Sequence, residues 1–177
     1  MKNSLFLLVF SFVLFGCGAK KNGVSSSRKP ISKADKIVAN ALHYEGVKYK
    51  YGGTTKRGMD CSGVIYVAFG EENFQLPRVS REMAKEGKKI ALKKVAKGDL
   101  LFFKTRKSYK NINHVGLVVS NKNGQIRFIH STTSRGVIVS LLSQKYWAKA
   151  FVKATRVLWK AYIYFFSLPL TSYEKGT

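Results

Sequence analysis

The segment that most constrains this chain begins at Asp60-Cys61-Ser62-Gly63 and runs through Val64–Phe69, without a charged or helix-breaking residue, to Gly70. Asp60 is a favoured N-cap residue, so the segment predicts a helix with Cys61 in its first turn. The unpaired backbone N–H groups and the positive end of the helix dipole favour a thiolate at that position. We therefore expect Cys61 to be a nucleophile, and the alternative is a small buried structural cysteine.

Two histidines fall on predicted strands. His114 opens a β-branched run that ends at Ser120, Asn123-Gly124 is a tight-turn pair, and the returning strand ends at His130. Neighbouring strands lie about 5 Å apart, so the two imidazoles can form a hydrogen bond. Such a bond holds one histidine in a single tautomer, as a general base requires.

The remaining pattern places helices before strands. Ser32 and Asp35 form a capping-box pair at the start of the first helix, and a short helix is expected over residues 81–86, with Ser80 as N-cap and Gly87 at its end. The apolar stripe of the first helix, expected in the core, comprises Ile37, Val38, Ala41 and Leu42. The predicted strands are Asp99 to Lys104, His114 to Ser120, Gln125 to His130, Gly136 to Leu141 and Phe151 to Leu158. The sequence therefore predicts an α+β fold, with helices leading and an antiparallel sheet following.

The N-terminus resembles an export signal. A basic start at Lys2 precedes an apolar stretch over residues 5–15, which has the length of a signal peptide rather than of a membrane span. The stretch ends in Gly16-Cys17, as in bacterial lipoprotein signals, so residues 1–16 are expected to be removed and Cys17 to be acylated. The alternative is an ordinary secretory signal with a fortuitous cysteine. Residues 17–31 are expected to form a flexible basic tether, and the apolar tail 159–177 has no assigned role.

Composition limits the partners and the redox chemistry. The formal net charge of +23 indicates anionic surroundings such as lipid head groups or acidic glycans, although a generally basic proteome needs no partner at all. Nucleic acid is not expected, because the lysines are scattered and the chain is predicted to be exported. Of the 2 cysteines, Cys61 alone remains a thiol if Cys17 is acylated, which leaves no disulfide to form.

An ordered series of motifs runs through the predicted domain of residues 32–158. The motifs are Tyr49-Lys50-Tyr51-Gly52-Gly53, Asp60-Cys61-Ser62-Gly63, Leu76-Pro77-Arg78-Val79-Ser80, Gly98-Asp99-Leu100-Leu101-Phe102-Phe103, His114-Val115-Gly116, His130-Ser131, Tyr146-Trp147 and Arg156-Val157-Leu158. This series resembles the NlpC family of bacterial cell-wall cysteine peptidases, and the resemblance covers residues 36–158. The family resemblance implies a papain-like domain, in which the cysteine helix packs on an antiparallel sheet.

The resemblance also implies residue roles. Cys61 corresponds to the nucleophile, His114 to the general base and His130 to the residue that orients it. The residues that the resemblance and their positions place at the oxyanion or the substrate are Tyr49, Asp60, Ser62 and Arg78. Two departures from the family pattern, Lys50 and Met83, lie outside this catalytic set.

The implied function is hydrolysis of peptidoglycan stem peptides by a monomeric envelope lipoprotein that faces the periplasm. The bond implied by the resemblance joins γ-D-glutamate to the diamino acid. No cofactor is expected, and no metal-ligand spacing is apparent in the sequence. Two alternatives remain open at this point: a non-catalytic wall-binding lipoprotein, and an amidase or acyltransferase on the same core.

Overall fold

A mixed set of helices and strands is present in the computed structural model, which describes residues 30–105 and 111–159. The helices are α1 (Lys33–Leu42), α2 (Cys61–Gly70), α3 (Ser80–Met83) and α4 (Lys145–Ala150), with a 3₁₀ turn at Leu92–Lys94. The strands are β1 (Thr54–Thr55), β2 (Gly58–Met59), β3 (Lys88–Ile90), β4 (Leu100–Phe103), β5 (His114–Lys122), β6 (Gln125–Thr132), β7 (Gly136–Leu141) and β8 (Phe151–Arg156).

The main sheet has 6 strands in the order β3-β8-β4-β5-β6-β7, and every neighbouring pair is antiparallel. The β5–β6 hairpin turns at Asn123 and Gly124, whose φ angles of 51° and 81° suit the tight turn that the sequence predicts. The first helices precede this sheet in the chain. The expected α+β class is therefore confirmed.

Both faces of the main sheet are covered, and β4 shows why. All four residues of β4 are fully buried, although successive side chains of a strand point to opposite faces of the sheet. Both faces must therefore be covered at this strand. Leu100 and Phe102 pack with α1 and α2, whereas Leu101 and Phe103 pack in a second cluster with Trp147 of α4. A strand covered on one face only would expose every second residue. The packing of α4 on the second face is therefore the reason that all four residues of β4 are apolar.

Most predicted elements are present, with changed ends. The capping box of Ser32 and Asp35 is confirmed at the start of α1. Leu42, however, is 38% exposed, so its assignment to the core was wrong: it is the last residue of α1 and lies beyond the buried stripe. The short helix expected over residues 81–86 is instead α3, which starts at Ser80 itself, with Val79 at the N-cap, and ends at Met83.

The predicted leader over residues 1–16, the acylation site Cys17, residues 17–29 of the predicted tether and tail residues 160–177 lie outside the described residues. Within residues 30–105 and 111–159, no helix combines the length and the hydropathy that a bilayer crossing requires.

The buried face of α2 anchors the helix that carries Cys61. Phe69 is fully buried and meets the partly exposed ring of Phe74 edge-on, at 5.6 Å between centroids. We expect Phe69→Ala to lower the free energy of unfolding by about 3–5 kcal/mol, since it leaves a cavity under the helix. Phe74→Ala is the matched control and should cost clearly less. Urea denaturation measures both values, and an equal loss from the two variants would contradict the packing described here.

Candidate active site

Cys61 is the first residue of α2, as the sequence predicts. The Asp60 carboxylate caps the helix by accepting the Gly63 N–H at 2.7 Å. Gly63 has no room for a side chain, because a Cβ would lie 2.1 Å from the backbone oxygen of Gly53. The segment before the helix therefore presses against its first turn, and this contact fixes where the sulfur lies.

Folding brings that first turn to the beginning of β5. The Val115 backbone N–H lies near enough to the Cys61 sulfur to favour its charged form, and Val115 directly follows His114 in the chain. Cys61 is a partly buried free cysteine. The sulfur and the start of the histidine strand are thus neighbours in the same packed cluster, although they are far apart in sequence.

The charge state of this thiol differs from the sequence expectation. Burial raises the pKa of Cys61 to about 11, and the neighbouring Asp60 charge adds to the rise. The backbone N–H groups of Val115, Ser62 and Cys61 act in the opposite direction. The expectation of a thiolate at the helix start was therefore wrong for the resting site, because loss of hydration outweighs the favourable backbone groups.

The predicted hydrogen bond between the two histidines is present. His114 Nε2 lies 2.9 Å from His130 Nδ1, and His130 has no exposed surface. Since Nε2 of His114 is used in this contact, Nδ1 is the ring nitrogen that remains for a second partner. The arrangement matches a base held in orientation by a second ring.

Both imidazoles resist protonation. Burial lowers the pKa of His114 to about 4. Burial also lowers the pKa of His130, to about 2, with further contributions from the charges of His114 and Arg135. At neutral pH the resting site therefore holds a thiol and two uncharged rings, and the uncharged ring is the form that a general base requires.

Aromatic side chains enclose the histidine pair. Trp147 of α4 stacks on the His114 ring at 5.2 Å and 21°, and meets His130 edge-on at 4.5 Å. Phe128 stacks against His130 from β6 at 4.7 Å. The sequence indicates Trp147 only through the Tyr146-Trp147 motif, because the apolar pattern of α4 is too short to predict a helix. Its position over both rings accounts for much of their burial.

Ser140 also belongs to the site and was not identified from sequence. Its Oγ lies 2.9 Å from His130 Nε2, and the residue is 4% exposed. It lies in β7 among Val137, Ile138 and Val139. A polar residue at a buried position of an apolar strand is the signal that could have indicated it, since a buried hydroxyl needs a partner.

Arg78 joins two of the predicted substrate residues into one network. Its guanidinium contacts both carboxylate oxygens of Asp60, at 2.9 and 3.0 Å, and donates to Ser62 Oγ at 2.8 Å. Asp60 also accepts the Gly52 N–H at 2.8 Å. Asp60 and Ser62 are therefore held by the protein itself, so a substrate amine has to share or displace the guanidinium.

Tyr49 lies beside the chain that enters α2. It forms an isolated bridge with Met59, which precedes Asp60, and its side chain is partly buried. The structure therefore places Tyr49 near the start of the cysteine helix. Its role at the oxyanion stays a prediction. Among residues 30–105 and 111–159, no group of at least 3 His, Cys, Asp or Glu side chains is arranged to hold a metal.

Comparison with known proteins agrees with this geometry. The model of the NlpC/P60 family matches residues 46–156. The probable endopeptidase NlpC of Escherichia coli is 36% identical over 85% of this chain and 97% of its own length. Murein DD-endopeptidase MepS/murein LD-carboxypeptidase of the same species is 36% identical over 70% of this chain and 62% of that protein.

Among solved structures, an NlpC/P60 family protein from Bacillus cereus superposes with a TM-score of 0.65 and 25% identity. The match covers 73% of this chain but 41% of that longer protein. The matched region contains α2, β5 and β6, which carry the candidate site.

The lowered pKa values of His114 and His130 predict how the free energy of unfolding depends on pH. An unfolded histidine binds a proton as the pH falls through about 6.5, whereas His114 and His130 resist it down to about 4 or below. The contribution of each histidine to the free energy of unfolding is therefore fully present above the pKa of a histidine in the unfolded chain. Acidification from about pH 7.5 to about pH 5 lowers the free energy of unfolding by about 2 kcal/mol per histidine. Urea unfolding at the two pH values measures the loss. A His114→Gln/His130→Gln variant should show a much flatter dependence, and an equal slope would contradict the assignment.

Proposed function

Because this chain belongs to the NlpC/P60 family, we propose that it is a peptidoglycan hydrolase, a cysteine endopeptidase that cleaves stem-peptide amide bonds. One observation supports this most directly: the Cys61 thiol contacts the Val115 N–H at the start of β5, where His114 is hydrogen bonded to His130. A thiol, a neutral base and an orienting group are thus assembled from α2, β5 and β6. A protein that only binds peptidoglycan has no need of this arrangement.

In the proposed reaction, Cys61 attacks the substrate carbonyl and His114 Nδ1 accepts the thiol proton. The resting site is uncharged, so the proton moves as the S–C bond forms rather than beforehand. The Cys61 backbone N–H and the Tyr49 hydroxyl stabilise the oxyanion, and such donors contribute about 10²- to 10³-fold each. His114 then protonates the leaving amine, and water hydrolyses the thioester.

His130 orients the base without reacting. In this mechanism the His130 Nδ1 that lies 2.9 Å from His114 Nε2 accepts the Nε2–H, which leaves the lone pair of His114 on Nδ1 for the thiol proton. Trp147 excludes water from both rings and prevents early protonation of the base. Both effects favour the neutral tautomer that removes a proton from a thiol.

We assign the bond between γ-D-glutamate and the diamino acid as the substrate, on the family resemblance. The Asp60–Arg78–Ser62 network lies beside the nucleophile and offers both signs of charge, as a zwitterionic stem peptide requires. MepS is named a DD-endopeptidase, so a bond between two D-centres is the competing target. Mass spectrometry of muropeptides digested by the purified chain separates the two, because the products differ in which residue carries the new amine.

The location proposed for the enzyme is the cell envelope, as a monomer anchored through acylated Cys17 and facing the periplasm. The basic character of the domain supports contact with anionic envelope surfaces. A concavity of about 580 Å³ at the β3 edge of the sheet is lined by four lysines and by Trp159, which is 38% exposed. The lysines are Lys88, Lys89, Lys93 and Lys94. Basic residues next to an exposed tryptophan suit the head-group region of an anionic bilayer.

The catalytic assignment predicts the effect of removing the sulfur. Cys61→Ala should lower amide cleavage of purified stem peptides by about 10⁴-fold or more, with the fold retained, because no other group can form the thioester. His130→Ala should lower kcat by orders of magnitude but leave measurable turnover, since His130 orients the base and does not react. Release of new amines measures both variants. Undiminished cleavage by Cys61→Ala would falsify the proposed function.

The surface assignment predicts vesicle binding. A chain without residues 1–17, and hence without an acyl group, should bind vesicles that contain phosphatidylglycerol and not vesicles of phosphatidylcholine alone. Lys→Gln changes at the four lysines of the β3 edge should weaken this binding by about tenfold or more. The charge-matched control changes the exposed residues Lys50, Lys122, Lys145 and Lys149 to Gln. Equal weakening by both sets would show that net charge alone drives the binding.

A further inference from the structure

The His130 ring has a partner at each of its nitrogens. Nδ1 lies 2.9 Å from His114 Nε2, and Nε2 lies 2.9 Å from Ser140 Oγ. His130 is fully buried and Ser140 is 4% exposed, so bulk water is kept from this end of the network. The chain of contacts runs from the candidate base on β5 through β6 to a hydroxyl on β7.

The proposed reaction restricts where the protons in this chain can lie. His114 accepts the thiol proton at Nδ1, so its own ring proton has to be on Nε2. That N–H points at His130 Nδ1, which therefore has to be an acceptor. A neutral imidazole carries one proton, so His130 is then protonated at Nε2, facing Ser140.

We propose that Ser140 is a positioning residue of the hydrolase: its Oγ accepts the His130 Nε2–H and thereby maintains the tautomer in which His114 Nδ1 is a base. This inference rests on the proposed function. Ser140 does not touch the substrate or the sulfur, and it acts on the base through His130.

The burial of His130 explains why a hydroxyl is needed. Phe128 and Trp147 pack against the ring at 4.7 and 4.5 Å and offer it no strong acceptor. An N–H buried without an acceptor is strongly disfavoured, and more so than a buried lone pair without a donor. Without the hydroxyl, the His130 proton is therefore better placed on Nδ1, where His114 Nε2 can accept it.

That shift would disable the base. If His130 donates from Nδ1, His114 has to accept at Nε2, and its single ring proton moves to Nδ1, facing the thiol. A protonated Nδ1 cannot remove the thiol proton. Loss of Ser140 Oγ therefore transmits a tautomer change across two rings and affects the chemical step, while the substrate-binding residues around Asp60 stay in place.

The experiment combines kinetics with ¹⁵N NMR of the histidine rings in the full chain. Ser140→Ala should lower kcat by about 10- to 100-fold with KM unchanged. In this variant the active tautomer leaves the buried His130 Nε2–H without an acceptor, and the cost of that unsatisfied donor sets the fraction of molecules in the active tautomer. Its ¹⁵N shifts should show the His130 proton moved from Nε2 to Nδ1. Ser140→Thr keeps a hydroxyl on a β-branched residue suited to a strand, and should restore both kcat and the Nε2–H tautomer.

Thr155→Val is the matched control. Thr155 is 2% exposed on β8 of the same sheet, and its hydroxyl has no hydrogen-bond partner in the described part of the chain. Loss of this hydroxyl should leave kcat and the His130 shifts unchanged. A general effect of removing a buried hydroxyl is thereby separated from the effect at Ser140.

The unmodified protein provides a test that needs no variant. It should show His130 protonated at Nε2, and protonation at Nδ1 would overturn the proposal even if Ser140→Ala does not fold. A folded Ser140→Ala chain with kcat within twofold of the unmodified one, or with reduced kcat and an unchanged tautomer, would also overturn it. Failure of the unmodified chain to cleave stem peptides would instead refute the proposed function.

Discussion

The contact between the first turn of α2 and the first residues of β5 is the interaction on which the site depends. The Cys61 sulfur lies near the Val115 N–H, and the helix start is held in place because Gly63 leaves no space between it and the Gly53 oxygen. The Asp60 carboxylate joins the helix cap, the Gly52 backbone and Arg78 in one network. Nucleophile and base therefore keep their relation as long as this junction stays packed.

Burial determines the chemistry of that junction more than charge does. Helix-start N–H groups favour a thiolate, but the enclosed position of Cys61 raises its pKa, and the same enclosure lowers the pKa of His114. The two shifts leave both partners neutral at rest. A neutral pair separates charge only as a substrate carbonyl accepts the developing negative charge, so the oxyanion donors and the base act in the same step.

The sequence predicted the parts of the site that depend on local signals. The N-cap at Asp60, the turn at Asn123-Gly124 and the alternation in the strands each reflect short-range backbone chemistry, and the contact between the two histidines follows from that hairpin. It did not predict α4 or the role of Ser140. A helix of 6 residues and a single serine carry no local signal, and their roles depend on what they contact in the folded chain. The expectation of a thiolate at Cys61 was wrong for the same reason, since burial is a property of the whole fold.

Met83 shows how the packing explains one departure from the family pattern. The family resemblance implies a glutamine at the position of Met83. The side chain is fully buried in the cluster under α1 and α2, where a glutamine amide would need partners for both its donor and its acceptor. A thioether fills the same volume without that requirement. Met83 therefore contributes to the packing beneath the cysteine helix. It takes no part in the hydrogen-bond chain of His114, His130 and Ser140, on which the proposed chemistry depends.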